Sequence, residues 1–182
     1  IKYAANAFLA TKISFINEMS VLCERVGADV HDVAKGMGLD GRIGKKFLHP
    51  GPGYGGSCFP KDTQALIRMA QEHQASSRIV EAVVEVNAAQ KARMTAKIRE
   101  ALGGSEADKK IAVLGLTFKP ETDDMRDAPS LTILPALIDK GAQIHAHDPH
   151  GVTEATPLLP ASVQYHEDVY SIFYEADAVV LM

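Results

Sequence analysis

Residues 110–115, Lys110-Ile111-Ala112-Val113-Leu114-Gly115, form a short apolar run closed by a glycine, and the alternation of elements after it decides the fold. Leu131 to Lys140 reads as a helix ended by Gly141. Gln143 to His147 reads as a second strand, Glu167 to Glu175 as a helix and Ala178 to Met182 as a third strand. Strands alternating with helices imply a parallel, doubly wound sheet with right-handed crossovers. Pro135, inside the first of these helices, leaves its extent open.

The residues before this run read differently. From Ala4 to Val26 apolar side chains recur at helical spacing (Ala5, Phe8, Leu9, Ile13, Ile16, Met19, Leu22, Val26), and Gly27 stands where a left-handed cap would end the helix. Asp29 caps a second helix through Met37. Residues 41–56 hold six glycines and two prolines and must be a loop. Pro60 suits the first turn of a third helix, 60–73, and Ser76 or Ser77 can cap a fourth that runs to Leu102 before Gly103-Gly104. The fold class is therefore α/β overall: an all-helical domain over 1–103, then a partial Rossmann-like parallel domain over 104–182.

A chain of 182 residues that is 46% hydrophobic can bury a core, as one large domain or two small ones. Its formal net charge of −4 gives no basic field for nucleic acid or a membrane surface, so a small molecule is the expected partner. No apolar run approaches the roughly 18 residues of a spanning helix, and no signal-peptide pattern opens the chain. Two cysteines, Cys23 and Cys58, without metal-ligand spacing fit a reducing compartment, the cytoplasm. Ile1 opens inside a helical pattern and Met182 closes a strand-like run, so the chain reads as part of a longer one.

The chemistry concentrates in Gly53-Tyr54-Gly55-Gly56-Ser57-Cys58-Phe59-Pro60-Lys61-Asp62. Glycines let the backbone approach a ligand, and Cys58 precedes a helix whose N-terminal amides and dipole favour a thiolate. A nucleophile is expected there, a structural cysteine in a tight turn being the competing reading. Asp62, one turn on, can hold a water or a substrate hydroxyl. Lys2 and Asn6 share a helix face and can supply charge and an amide to a developing oxyanion, or can simply be solvated. Cys23, among Met19, Leu22 and Val26, reads as core. His145, His147, Asp148 and His150 tempt a metal reading, but no further ligand is placed, and the segment reads as a strand end with its loop. Gly115 to Lys119 lacks the second and third glycines of a dinucleotide turn, although Lys119 and Arg126 can meet some other phosphate.

Three stretches together resemble the UDP-glucose/GDP-mannose dehydrogenase family: Lys2 through Phe8, Gly53 through Asp62, and Phe118-Lys119-Pro120 through Asp123-Asp124-Met125-Arg126. Asn6 through Lys12 and Gly38 through Gly44 look like the bacterial UDP-glucose branch. Members have an NAD-binding Rossmann domain, a helical dimerisation domain and a domain for the nucleotide, of which this chain resembles the last two. The resemblance implies that Cys58 is the nucleophile, that Lys2 and Asn6 stabilise the oxyanion and that Asp62 orients or activates water. It further implies that Phe47, Leu48 and Tyr54, Gly55 and Gly56 hold the nucleotide sugar, with Phe118 and Lys119 added from the last domain. Arg42 is expected to reach the sugar of a neighbouring subunit, and Arg126 the phosphates of NAD, which the missing domain mainly binds. No metal is implied. A homodimer is expected through the long central helix, 77–102.

The implied reaction oxidises a C6 alcohol to a carboxylate through a cysteine thiohemiacetal and thioester. As a fragment without its NAD domain the chain is expected not to turn over alone. GDP-mannose or UDP-N-acetylmannosamine as substrate, and a non-catalytic dimerisation and nucleotide-binding module, are the alternatives. A thiol hydrolase would need a histidine base, and His49 sits in the glycine-proline loop.

Overall fold

The computed structural model describes residues 1–182 and divides into two units, Ile1–Gln90 and Lys91–Met182. In the first, α1 (Lys2–Val26) ends where Gly27 turns left-handed at φ 73° and returns its N–H to the Cys23 carbonyl. Its buried stripe is small and polar: Ala7, Ala10, Ser14, Ile16, Asn17, Ser20 and Cys23. Phe8, Leu22 and Val26, read from spacing as part of the apolar face, are instead 67%, 53% and 66% exposed. Apart from Ile16, the buried side chains are small or polar and let neighbouring backbone come close to α1, while Phe8, Leu22 and Val26 lie on the opposite side.

Asp29 caps α2 (Val30–Gly38) by accepting from the His31 N–H at 2.7 Å. Residues 39–58 form no helix or strand. Lys12 of α1 pins this segment by donating from Nζ to the carbonyls of Ile43, at 2.9 Å, and Gly44, at 3.2 Å. Helix α3 (Phe59–Glu72) starts with Pro60 in its first turn and packs on α1, burying Asp62, Thr63 and Ile67. Helix α4 (Arg78–Ala101) follows Ser77, whose carbonyl accepts from Val80 and Glu81 while its hydroxyl is buried without a partner; the expected side-chain cap is replaced by backbone bonds.

The second unit is a four-stranded parallel sheet in the order β3-β2-β1-β4, built of β1 (Lys110–Leu114), β2 (Gln143–His147), β3 (Gln164–Tyr165) and β4 (Ala178–Leu181). Ile111, Val113, Ile144 and Ala146 meet Ile133, Leu134 and Leu137 of α5 (Ser130–Ile138) in its core, and Met94, Ile98 and Leu102 pack against the same cluster. Helix α5 runs through Pro135. The chain between β2 and β3 forms a one-turn helix, α6 (Val152–Ala155), which together with β3 is too short to show periodicity in sequence. The helix expected over Glu167 to Glu175 is a 3-10 segment, Val169–Phe173, tightened by Asp168, which accepts from the Ser171 N–H at 2.9 Å. No helix is long and apolar enough to cross a membrane.

Candidate active site

Cys58 occupies the cap position of α3 and is exposed, whereas Cys23 is 6% exposed within α1. One turn on, Asp62 donates its backbone N–H to the Cys58 carbonyl at 2.8 Å and buries its carboxylate completely. Two side chains from the start of α1 converge on that carboxylate. Asn6 Nδ2 donates to Asp62 Oδ2 at 2.6 Å, and Lys2 Nζ lies 3.4 Å from the same oxygen. Lys61 Nζ lies 3.9 Å from Oδ1, which accepts no hydrogen bond. The Asn6 amide, against the opposing effect of burial and with help from the Lys2 charge, holds the Asp62 carboxyl below the usual carboxylate range. Lys2 is 64% exposed at its side chain and keeps donors beyond this contact. Lys2, Asn6 and Asp62 thus meet one helical turn from Cys58.

The loop before α3 is organised by packing. Phe47, at φ 64°, sets its ring edge-on to Phe59 at 5.9 Å, and Tyr54 does the same from another side at 5.9 Å. Leu48 and Tyr54 are 3% and 6% exposed, and Gly55 and Gly56 are buried beside them. The side chains of Leu48 and Tyr54 therefore build the loop's interior, while Phe47 is half-buried. Arg42 lies in an exposed turn with its guanidinium forked onto Asp40, Nη2 to Oδ2 at 2.6 Å.

Three buried amides in this unit do not stand out in the sequence. Asn17 accepts from the Gly51 N–H, Gln90 donates to the Gly51 carbonyl, and Asn87 bonds the backbone of Tyr54. Their signal is a carboxamide standing in an otherwise apolar helical stripe, which needs a partner when buried.

In the second unit Gly115, at φ 87°, opens the turn after β1 and gives its N–H to the His147 carbonyl at 2.9 Å. Phe118 is half-buried against the core, with the Lys119 ammonium 5.2 Å from its ring centroid. Arg126 pairs with Asp124 at 2.6 Å, and both line, with the carboxylates of Asp123 and Glu154, a cavity of about 450 Å³. Asp148, 8% exposed and in sequence only a candidate metal ligand, accepts instead from the N–H groups of Leu116 at 2.7 Å, His150 at 2.8 Å and Gly151 at 2.6 Å. Burial raises its pKa, but these backbone donors outweigh burial and leave the net shift downward. The histidines next to it are engaged with protein: His145 Nδ1 with His166 Nε2 and His147 Nδ1 with the His166 carbonyl, each at 2.9 Å.

Residues 1–89 match the central domain of the UDP-glucose/GDP-mannose dehydrogenase family, and residues 112–182 match that family's UDP binding domain. The chain is 56% identical over its whole length to a UDP-glucose 6-dehydrogenase of Rhizobium meliloti (strain 1021) and 50% identical to UDP-glucose 6-dehydrogenase TuaD of Bacillus subtilis (strain 168). It spans 41% and 39% of their respective lengths. A UDP-glucose dehydrogenase structure from Pyrobaculum islandicum superposes with a TM-score of 0.93 at 40% identity, covering 99% of this chain and 41% of that one.

Proposed function

This chain belongs to the UDP-glucose/GDP-mannose dehydrogenase family, and on that footing we propose that it carries the thiol half of an NAD-dependent oxidation of UDP-glucose to UDP-glucuronate. The observation that supports this most is the convergence of Lys2 and Asn6 on Asp62, one turn from an exposed Cys58.

NAD would supply the hydride acceptor for the two oxidations, and Arg126, whose guanidinium is paired with Asp124, is assigned to a phosphate of that cofactor. The chain's own residues handle the carbon between those oxidations. The Cys58 sulfur adds to the C6 aldehyde, forming a carbon–sulfur bond and leaving an oxygen that takes a proton in the thiohemiacetal. Lys2, with Asn6, is placed to stabilise that oxygen as it becomes negative. Loss of hydride from this carbon gives a thioester. Water then adds to the thioester, the carbon–sulfur bond breaks, and the products are a carboxylate and the free thiol. Asp62, held ionised by Asn6, is assigned to orienting that water more than to removing its proton.

The nucleotide sugar is assigned to Phe47, Leu48 and Tyr54 to Gly56, and the UDP moiety to the second unit through Phe118 and Lys119. Arg42, exposed on its turn, is assigned to the sugar of a neighbouring subunit. We assign a homodimer as well. Helix α4, the expected pairing element, directs Val83 inward and lays Met94, Ile98 and Leu102 on the sheet core, leaving Ile79 exposed. Phe8, Phe15 and Leu22 of α1 recur every seven residues on an exposed face, the spacing of a helix that pairs with its twin.

Turnover of the complete protein with UDP-glucose, GDP-mannose and UDP-N-acetylmannosamine tests this reading. UDP-glucuronate should form from the first and be abolished by Cys58→Ser. Failure to oxidise any of the three, or full acid formation by the serine variant, would overturn it.

A further inference from the structure

The glycine-rich loop ahead of Cys58 has little of its own to define its path. Gly53 stands at φ 118° and Gly56 at φ 83°, regions open to glycine, and the segment belongs to no helix or strand. What fixes it comes from α4. Asn87, 8% exposed, accepts from the Tyr54 N–H through Oδ1 at 2.7 Å and donates from Nδ2 to the Tyr54 carbonyl at 3.1 Å. Satisfying both backbone groups of one residue is what a paired strand does in an antiparallel ladder. Here one carboxamide does it, and the two bonds fix which end of the amide is oxygen.

The same face of α4 repeats the device three residues later. Gln90 Nε2 donates to the Gly51 carbonyl at 2.7 Å, and the Gly51 N–H donates to Asn17 Oδ1 at 2.9 Å. Tyr54 is held additionally by its ring, packed with Ala10, Val83 and Phe59. Cys58 lies only four residues after Tyr54, so the position of the Tyr54 backbone limits where the sulfur and the glycine amides can stand.

We propose that Asn87 is a positioning residue for Cys58, holding the Tyr54 peptide groups so that the loop presents its backbone and the sulfur in a fixed relation to a nucleotide sugar. This rests on the reading of Cys58 as the nucleophile. An Asn87 that served core packing alone would need no donor toward the Tyr54 carbonyl, and this is what separates the two roles.

Asn87→Asp isolates that donor. Its ionised form still accepts from the Tyr54 N–H but turns an acceptor toward the Tyr54 carbonyl, whereas its protonated form donates an O–H there and restores the pair. A buried carboxyl beside a carbonyl titrates above the ordinary range, which brings the change toward neutrality. In the complete enzyme, kcat of Asn87→Asp relative to parent should be down about a hundredfold at alkaline pH, the order of loss that misplacement by an ångström causes. The ratio should climb toward one as the pH falls. Hydrogen exchange of residues 51–58, taken as the same ratio, should follow that curve.

Asn87→Ser, shorter and uncharged, covers the case in which the aspartate does not fold: it should lose kcat and exchange protection in 51–58 while α1 and α3 keep theirs. A ratio near one throughout, a low ratio that ignores pH, or unchanged protection of the loop in the serine variant overturns the proposal. Cys58→Ser, run alongside, separates the two levels. If it is inactive while the Asn87→Asp ratio is flat, only the positioning role fails; if it is fully active, the nucleophile reading fails and takes this proposal with it.

Discussion

Asn6 Nδ2 stands 2.6 Å from Asp62 Oδ2, and this bond ties the second turn of α1 to the first turn of α3. Because it stabilises the ionised carboxylate, its effect depends on pH in a defined direction. The folded-state pKa of Asp62 is depressed from 3.8, so the stabilisation is fully present above that value and is lost as the pH falls through the lower folded-state pKa. Asn6→Leu removes the donor. Parent should exceed this variant in stability near neutral pH, and the gap should narrow in acid below 3.8. Denaturant melts followed by circular dichroism across that range check it, and a gap that stays constant with pH would rule out the linkage.

The two thiols differ in access. Cys58 is exposed and Cys23 is 6% exposed on the packed side of α1. A limiting amount of maleimide should modify Cys58 well before Cys23, read by peptide mass spectrometry, since reactivity requires both access and thiolate character. Equal modification of the native protein would contradict both the burial of Cys23 and the reactive placement of Cys58.

Asp148 joins two turns. It accepts from Leu116, in the turn after β1, and from His150 and Gly151, after β2. Asp148→Ala strands several buried donors at once and should cost on the order of 3 kcal/mol in a denaturant melt. Asp148→Asn keeps an acceptor and should fall between that variant and the parent. An alanine variant as stable as the parent would show that water replaces the carboxylate at no cost.

For the assigned dimer, Phe15→Glu places a charge in the middle of the exposed α1 stripe. Sedimentation at micromolar concentration should show the parent as a dimer and the variant shifted toward monomer, with circular dichroism unchanged. A monomeric parent would remove the assignment, and a dimer untouched by the charge would move the interface elsewhere.

Sequence spacing is sufficient for the long elements. Helices α1, α3 and α4 and strands β1, β2 and β4 carry enough residues for a period to show, whereas the two residues of β3 and the single turn of α6 do not. The cluster of Lys2, Asn6, Cys58 and Asp62 is legible because glycine, thiol and carboxylate stand within one short motif, and the other two residues share a helix face. The amides of Asn17, Asn87 and Gln90 are not, because their backbone partners lie 33 to 39 residues away. Nor is the role of Asp148, which acts on peptide groups up to 32 residues distant and has no side-chain partner to suggest it. The outward placement of Phe8 and Leu22 is equally hidden, since periodicity marks an apolar stripe but cannot say whether this chain or another covers it.

An open sulfur has a liability as well as a use. The lack of cover that the proposed addition to a carbonyl needs at Cys58 also admits peroxide, and oxidation past the sulfenic acid cannot be undone by added thiol. Ageing of this protein in air should therefore be written first at a single atom, with the folded scaffold intact around a spent side chain.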